Sequence, residues 1–122
     1  MKMLLHIIMY FSFAIGQGWY NHPELDWRTI ETEHFLVHYH AETKRSAEEA
    51  ATVAEHIYGP ITSFYNYEPG SKTHLIIKDV DDISNGAAYY YNNKILIWAL
   101  PIDFDLRGSH RWLNNVITHE FT

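Results

Sequence analysis

Cysteine is absent from the 122-residue chain. That absence excludes a disulfide scaffold, a thiolate zinc knuckle, a cysteine nucleophile and a lipobox cysteine carrying a lipid anchor. Positive charge is scarce: nine Lys plus Arg stand against fifteen Asp plus Glu, for a formal net charge of -6. A general nucleic-acid binder needs a basic footprint, so no nucleic-acid partner is expected. Charge of either sign is sparse at 20%, while four Trp, nine Tyr and six Phe bring the aromatic content to 16%. Such a chain is too apolar to stay disordered. Internal repeats, low-complexity stretches, a phosphate-binding Gly loop and a Ser-His-Asp arrangement are all missing. What is present is one domain's length with 47% hydrophobic residues, enough to bury a core without disulfides or a structural metal. Nine His is a high count; it raises the expectation of metal or acid–base chemistry without locating it.

Long hydrophobic runs are lacking too. The longest, Met3 to Ile15, is broken only by His6 and Ser12 and falls short of the roughly 20 residues of a membrane span. Lys2 precedes it, and the small residues Ala14 and Gly16 end it. Residues 1–16 therefore read as a signal peptide cleaved after Gly16, against the alternative of an N-terminal strand or core helix. Cleavage leaves no transmembrane helix in 17–122 and places that portion outside the inner membrane, secreted or periplasmic in the cell envelope.

Periodicity organises the rest. Thr29 to His40 alternates, with Phe35, Val37 and Tyr39 on one face and His34, Leu36, His38 and His40 on the other; this predicts one half-buried strand. Ala47, Ala50, Ala51, Ala54, Ile57, Tyr58 and Ile61 recur at helical spacing, with Ser46–Glu49 as a capping box or Thr43 as the rival N-cap. Gly59-Pro60 is expected to end or kink this helix, with about a turn more carrying Ile61, Phe64 and Tyr65. Thr73 to Val80 is a continuous apolar run and predicts a central strand. Ala87 to Leu100 predicts strand again, with Asn92-Asn93 as a two-residue hairpin turn. Ser109 is the expected N-cap of a last helix whose apolar stripe is Trp112, Leu113, Val116, Ile117 and Phe121. That stripe runs to Thr122 without a stop signal, so the sequence reads as a fragment cut within a helix.

The helix ends in His119-Glu120-Phe121-Thr122. In HExxH, two His four apart share a helix face and bind zinc, and the Glu takes a proton from water that the metal activates. Chance alone gives about 0.7 His-Glu dipeptides in this composition, so the weight rests on context.

That context resembles a family. Thr29-Ile30-Glu31-Thr32-Glu33-His34-Phe35-Leu36-Val37-His38-Tyr39, the AEEAATVAEHIY helix, HLIIKDVDDISNGAA and RWLNNVITHEFT are similar to the N-terminal half of peptidase-MA-like domains of the gluzincin superfamily, from about Trp27 to Thr122. The closest likeness is to bacterial envelope proteins in which such a domain precedes a Tol-type or WD40-like β-propeller. The resemblance implies an α/β fold of the zincin-like α+β type: a small mixed sheet, an Ala-rich helix packed on it, and the start of the active-site helix. It implies His119 as first zinc ligand, Glu120 as general base, and Asn85, Gly86, Ala87 and Ala88 as an edge strand pairing with an extended peptide substrate. It implies Zn2+ as cofactor, a peptide or protein substrate, and room for a downstream propeller. The second His would be the residue after Thr122, so the chain by itself is expected to be inactive. The alternatives are a degenerate gluzincin-like binding or scaffold module and an αβ domain whose His-Glu is accidental.

Other groups read more plainly. His34, His38 and His40 are taken as a solvent-facing or hydrogen-bonded row rather than an auxiliary metal site. Asp79, Asp81 and Asp82 before Ser84-Asn85-Gly86 do not match a calcium loop, because Ile83 and Asn92 occupy ligand positions. Tyr89-Tyr90-Tyr91 with Trp98 is read as strand with one packed aromatic face rather than a carbohydrate or peptide platform.

Overall fold

The computed structural model describes residues 22–80, 83–100 and 111–122. The segment read as a signal peptide, Asp81, Asp82 and the expected N-cap Ser109 lie outside them. The described residues form a five-stranded mixed sheet with two helices, the α+β arrangement expected at the coarse level. The strands are β1 (Arg28–Glu31), β2 (Phe35–Tyr39), β3 (Thr73–Lys78), β4 (Gly86–Tyr89) and β5 (Lys94–Trp98); the helices are α1 (Lys44–Tyr65) and α2 (Trp112–Phe121). Sheet order is β1-β2-β3-β5-β4. β2, β3 and β5 are parallel neighbours; β1 and β4 are antiparallel edges.

The single strand expected over 29–40 is a hairpin of two. Thr32 breaks it: its N–H donates to the Phe35 carbonyl (3.0 Å) and its hydroxyl accepts from the Phe35 N–H (3.1 Å). That local bonding closes a turn inside an alternating pattern, which periodicity alone does not register. The alternation in β2 holds, with Phe35, Val37 and Tyr39 buried. β3 is the central strand, as its apolar run predicts. It joins β2 through α1, the crossover that parallel pairing requires.

α1 places Ala47, Ala50, Ala51, Ala54 and Ile57 in the core. Methyl-sized side chains let it lie close to β2 and α2. It runs through Gly59-Pro60 to Tyr65, with the further turn that Ile61, Phe64 and Tyr65 predict. A helix-interior proline costs about 3 kcal/mol; here His56, Gly59 and Pro60 are exposed, so the carbonyl left without a partner faces water. Thr62 is buried and its hydroxyl donates to the Tyr58 carbonyl (2.9 Å), binding the segment after the proline back to the turn before it. The helix stops at Asn66, left-handed at φ 49, with the Tyr67 N–H donating to the Thr62 carbonyl (3.1 Å). Ser46 lies inside the helix, so no capping box forms there. Thr43 holds the N-cap position without a side-chain cap bond; its hydroxyl instead lies 3.2 Å from the His40 carbonyl and 3.3 Å from that of Ile77.

β4 and β5 form the expected hairpin, but the connection is longer than two residues. A 3-10 turn, Tyr90–Asn92, leads to Asn93 at φ 45. The Asn93 side chain accepts from the Thr73 hydroxyl (3.0 Å) and donates to the Ser71 and Lys72 carbonyls (3.2 and 3.1 Å), fastening the hairpin to the start of β3. The tyrosine run is not a packed strand face: Tyr90 is 85% and Tyr91 97% exposed, because both belong to the turn. Both helices cover one sheet face. Beneath them Phe35, Val37, Leu75, Ile77, Ile95 and Ile97 meet Leu113, Val116 and Ile117 of α2, each contributing about 1.5–3 kcal/mol by burial. Among the described residues, no helix is long and apolar enough to cross a membrane.

Candidate functional site around Glu120 and the β4 edge

α2 begins at Trp112, whose indole N–H donates to the Trp98 carbonyl (2.8 Å). Its predicted stripe faces the core, with Leu113, Val116 and Ile117 buried and Trp112 and Phe121 partly so. Phe121 packs against Phe35 and Tyr58, ring centroids 5.2 and 5.8 Å away. This seating sets the rotation of the last turn. His119 is exposed, and Glu120, half-buried, turns toward β4.

Glu120 meets β4 at Gly86. A Cβ added at Gly86 would lie 2.9 Å from Glu120 Cγ and Oε1 and 2.5 Å from Val116 Cγ2. Glycine is needed there for close approach of helix and strand, not for a special backbone angle. We predict that Gly86→Ala lowers the unfolding free energy by about 1–3 kcal/mol through overpacking, read as a lower urea midpoint. An unchanged midpoint would show that α2 does not press on the strand.

β4 is an edge strand, and among the described residues no strand pairs with its outer side. Asn85 lies just before it, and its carbonyl accepts from the Trp98 N–H (3.1 Å). By the alternation of an antiparallel ladder, the backbone groups of Gly86 and Ala88 then point away from β5, toward the open edge. A cavity of about 770 Å3 adjoins this edge, its walls including Glu120, Phe121, Ala88, Tyr89, Ile61 and Tyr65. Thus Glu120 is brought against Gly86, to which Asn85 and Ala87 are chain neighbours, while His119 is exposed.

The donors present fit a catalytic zinc only in part. Such a site takes three protein ligands and an open position; His119 offers one imidazole, and Glu120 stands as the expected base rather than a ligand. Among the described residues there is no group of three or more His, Cys, Asp or Glu able to hold a metal ion.

The histidine row read from the sequence is not a row. His34 precedes β2, and its ring stacks on Tyr58 at 3.6 Å and bonds Glu55 through Nδ1 at 2.7 Å. Burial pushes the Glu55 carboxyl up, but hydrogen bonds from the His34 ring, the Thr32 hydroxyl and the His34 N–H outweigh it and hold Glu55 below its ordinary range. His40 is 2% exposed and lies edge-on to Trp27, because the chain leaves the strand after Tyr39 and turns the next side chain inward. Only His38 stays on the sheet face away from the helices, where Nε2 lies 2.8 Å from His74 Nδ1. Burial, and then the neighbouring His74, push His38 below its ordinary value.

Glu55 and His74 escaped the sequence reading, in which Asn93 figures only as a turn residue. His74 alternates with buried Thr73 and Leu75, which is a legible sign of the outer face; the register that sets it beside His38 is not. No family model, curated protein or solved structure matches the chain.

Proposed function

We propose that the chain is the N-terminal portion of a secreted, zinc-dependent metallopeptidase-like domain of zincin type. The observation that supports this most directly is the seating of Glu120 against Gly86 of an open edge strand. An extended peptide added to β4 would bond the outward backbone groups of Gly86 and Ala88 and pass the Glu120 carboxylate. Under this reading His119 supplies one imidazole of the metal site and Glu120 accepts a proton during attack on the peptide carbonyl. Zinc, when bound, supplies Lewis-acid activation of water and carbonyl. The remaining ligands belong to a longer protein, so the isolated chain is expected to hydrolyse nothing.

Sequencing the coding region beyond Thr122 tests the reading. It requires His at the next position and an acidic ligand on a later helix. Another residue there, or a stop, removes the catalytic site and favours the alternative, a gluzincin-like binding module that keeps the β4 edge without the chemistry.

A further inference from the structure

His38 and His74 stand on adjacent parallel strands, on the sheet face away from both helices. Their rings are nearly parallel (14°), with centroids 5.1 Å apart and His38 Nε2 2.8 Å from His74 Nδ1. Both are half-buried. We propose that this pair is a binding site for a divalent transition-metal ion of the imidazole-seeking class, with copper(II) its strongest member. The site is separate from His119 and Glu120 and does not rest on the peptidase reading.

The geometry carries the argument. A metal–imidazole bond is about 2.0–2.1 Å, so two nitrogens in adjacent positions of a tetragonal ion stand about 2.9 Å apart. The observed 2.8 Å is already that separation. The rings now face each other head-on, so each must swing by about 45° to turn its lone pair toward a shared ion with ligands at right angles. On the far side of His38, Nδ1 lies 2.9 Å from the Thr29 hydroxyl. A proton held there fixes the tautomer whose Nε2 accepts the Nδ1–H of His74. Ligation by both nitrogens moves that His74 proton to its own Nε2 through solvent as the ion enters, and the Thr29 bond then plays the role an outer hydrogen bond plays for metal-bound imidazoles.

The charged neighbours on this face are engaged elsewhere. Lys94, the register partner of His74, has its ammonium 4.8 Å from the Tyr89 ring centroid. Lys78 lies 4.4 Å from the Trp98 ring centroid, and Glu31 is bonded to Lys72 (2.6 Å). Neutral imidazole is the ligating form, and burial and the neighbouring imidazole favour the neutral form of His38. The Irving–Williams order places copper(II) and then nickel(II) and zinc(II) as occupants.

The test is a copper(II) titration of the whole chain near pH 7.5, read by electron paramagnetic resonance and calorimetry. The expected result is one ion bound through two nitrogens, weakened at least about tenfold in H38Q and in H74Q and unchanged in H119Q. T29V should weaken binding by about tenfold while leaving both ligands in place. Acidification to pH 5.5 should release the ion as protons compete for the imidazoles. Equal affinity in wild type, H38Q and H74Q overturns the proposal, as does loss in H119Q alone. Should a variant fail to fold, copper-induced broadening of the His38 and His74 ring resonances in the wild-type protein decides: broadening of other imidazoles instead overturns it.

Discussion

Glu120→Gln is expected to lower peptide hydrolysis by about 10²–10⁴-fold, the range that a positioned general base contributes, in the full-length protein that the proposed reading requires. Gln keeps the shape of the side chain and its seat against Gly86, where Glu120 Cγ and Oε1 crowd the strand backbone. It removes only the ability to take a proton. Fold and zinc content should therefore be retained while the rate falls. The measurement is hydrolysis of a panel of extended peptides, alongside metal analysis and a thermal melt of both proteins. Activity equal to wild type, with zinc content unchanged, would make His119-Glu120 an accidental dipeptide. Loss of activity together with loss of fold would instead make Glu120 a structural residue of the α2–β4 contact, and the catalytic role would be withdrawn.

Phe35→Ala is expected to cost about 3–5 kcal/mol of folding free energy. Phe35 is fully buried, and its ring lies 5.2 Å from that of Phe121 and 5.9 Å from that of Tyr58. Those contacts join β2, α1 and α2 at one point, so the void opens where three elements meet and none can close it alone. A loss of that size is a large part of the 5–15 kcal/mol that holds a typical domain folded. Because Phe121 follows Glu120 directly, the same void loosens the turn that aims the carboxylate at β4. Urea unfolding followed by tryptophan fluorescence checks the prediction, with Phe64→Ala as its counterpart. Phe64 is 82% exposed, and its removal should change stability by no more than about 0.5 kcal/mol. If the two variants lost equal stability, the assignment of the core would be wrong.

These two expectations have different sources. The buried status of Phe35, Val37 and Tyr39 follows from alternation, and that of Ala47, Ala50 and Ala54 from helical recurrence, and the observed burial agrees with both. Periodicity reports which face of an element is apolar. It is silent where a hydroxyl or an amide reorganises the backbone. Thr32 splits the expected strand in two. At Asn93 one side chain takes over what was read as a two-residue turn. In each case the deciding bonds join specific atoms whose meeting has no periodic signature.

The candidate site divides in the same way. Local order alone determined that His119 and Glu120 stand on a helix with an apolar stripe, and that a small-residue stretch, Asn85 to Ala88, lies near a strand boundary. Only the tertiary structure decided that β4 is an outer strand and that Gly86 receives the helix. It alone placed His74 beside His38 and buried His40, separating three histidines that the alternation puts on one face. The reason is physical. Spacing along a chain prescribes the faces of its own helix or strand, within a few residues. Which strands become neighbours, and in what register, is settled by contacts between residues far apart in sequence, where burial of the whole apolar face outweighs any local preference.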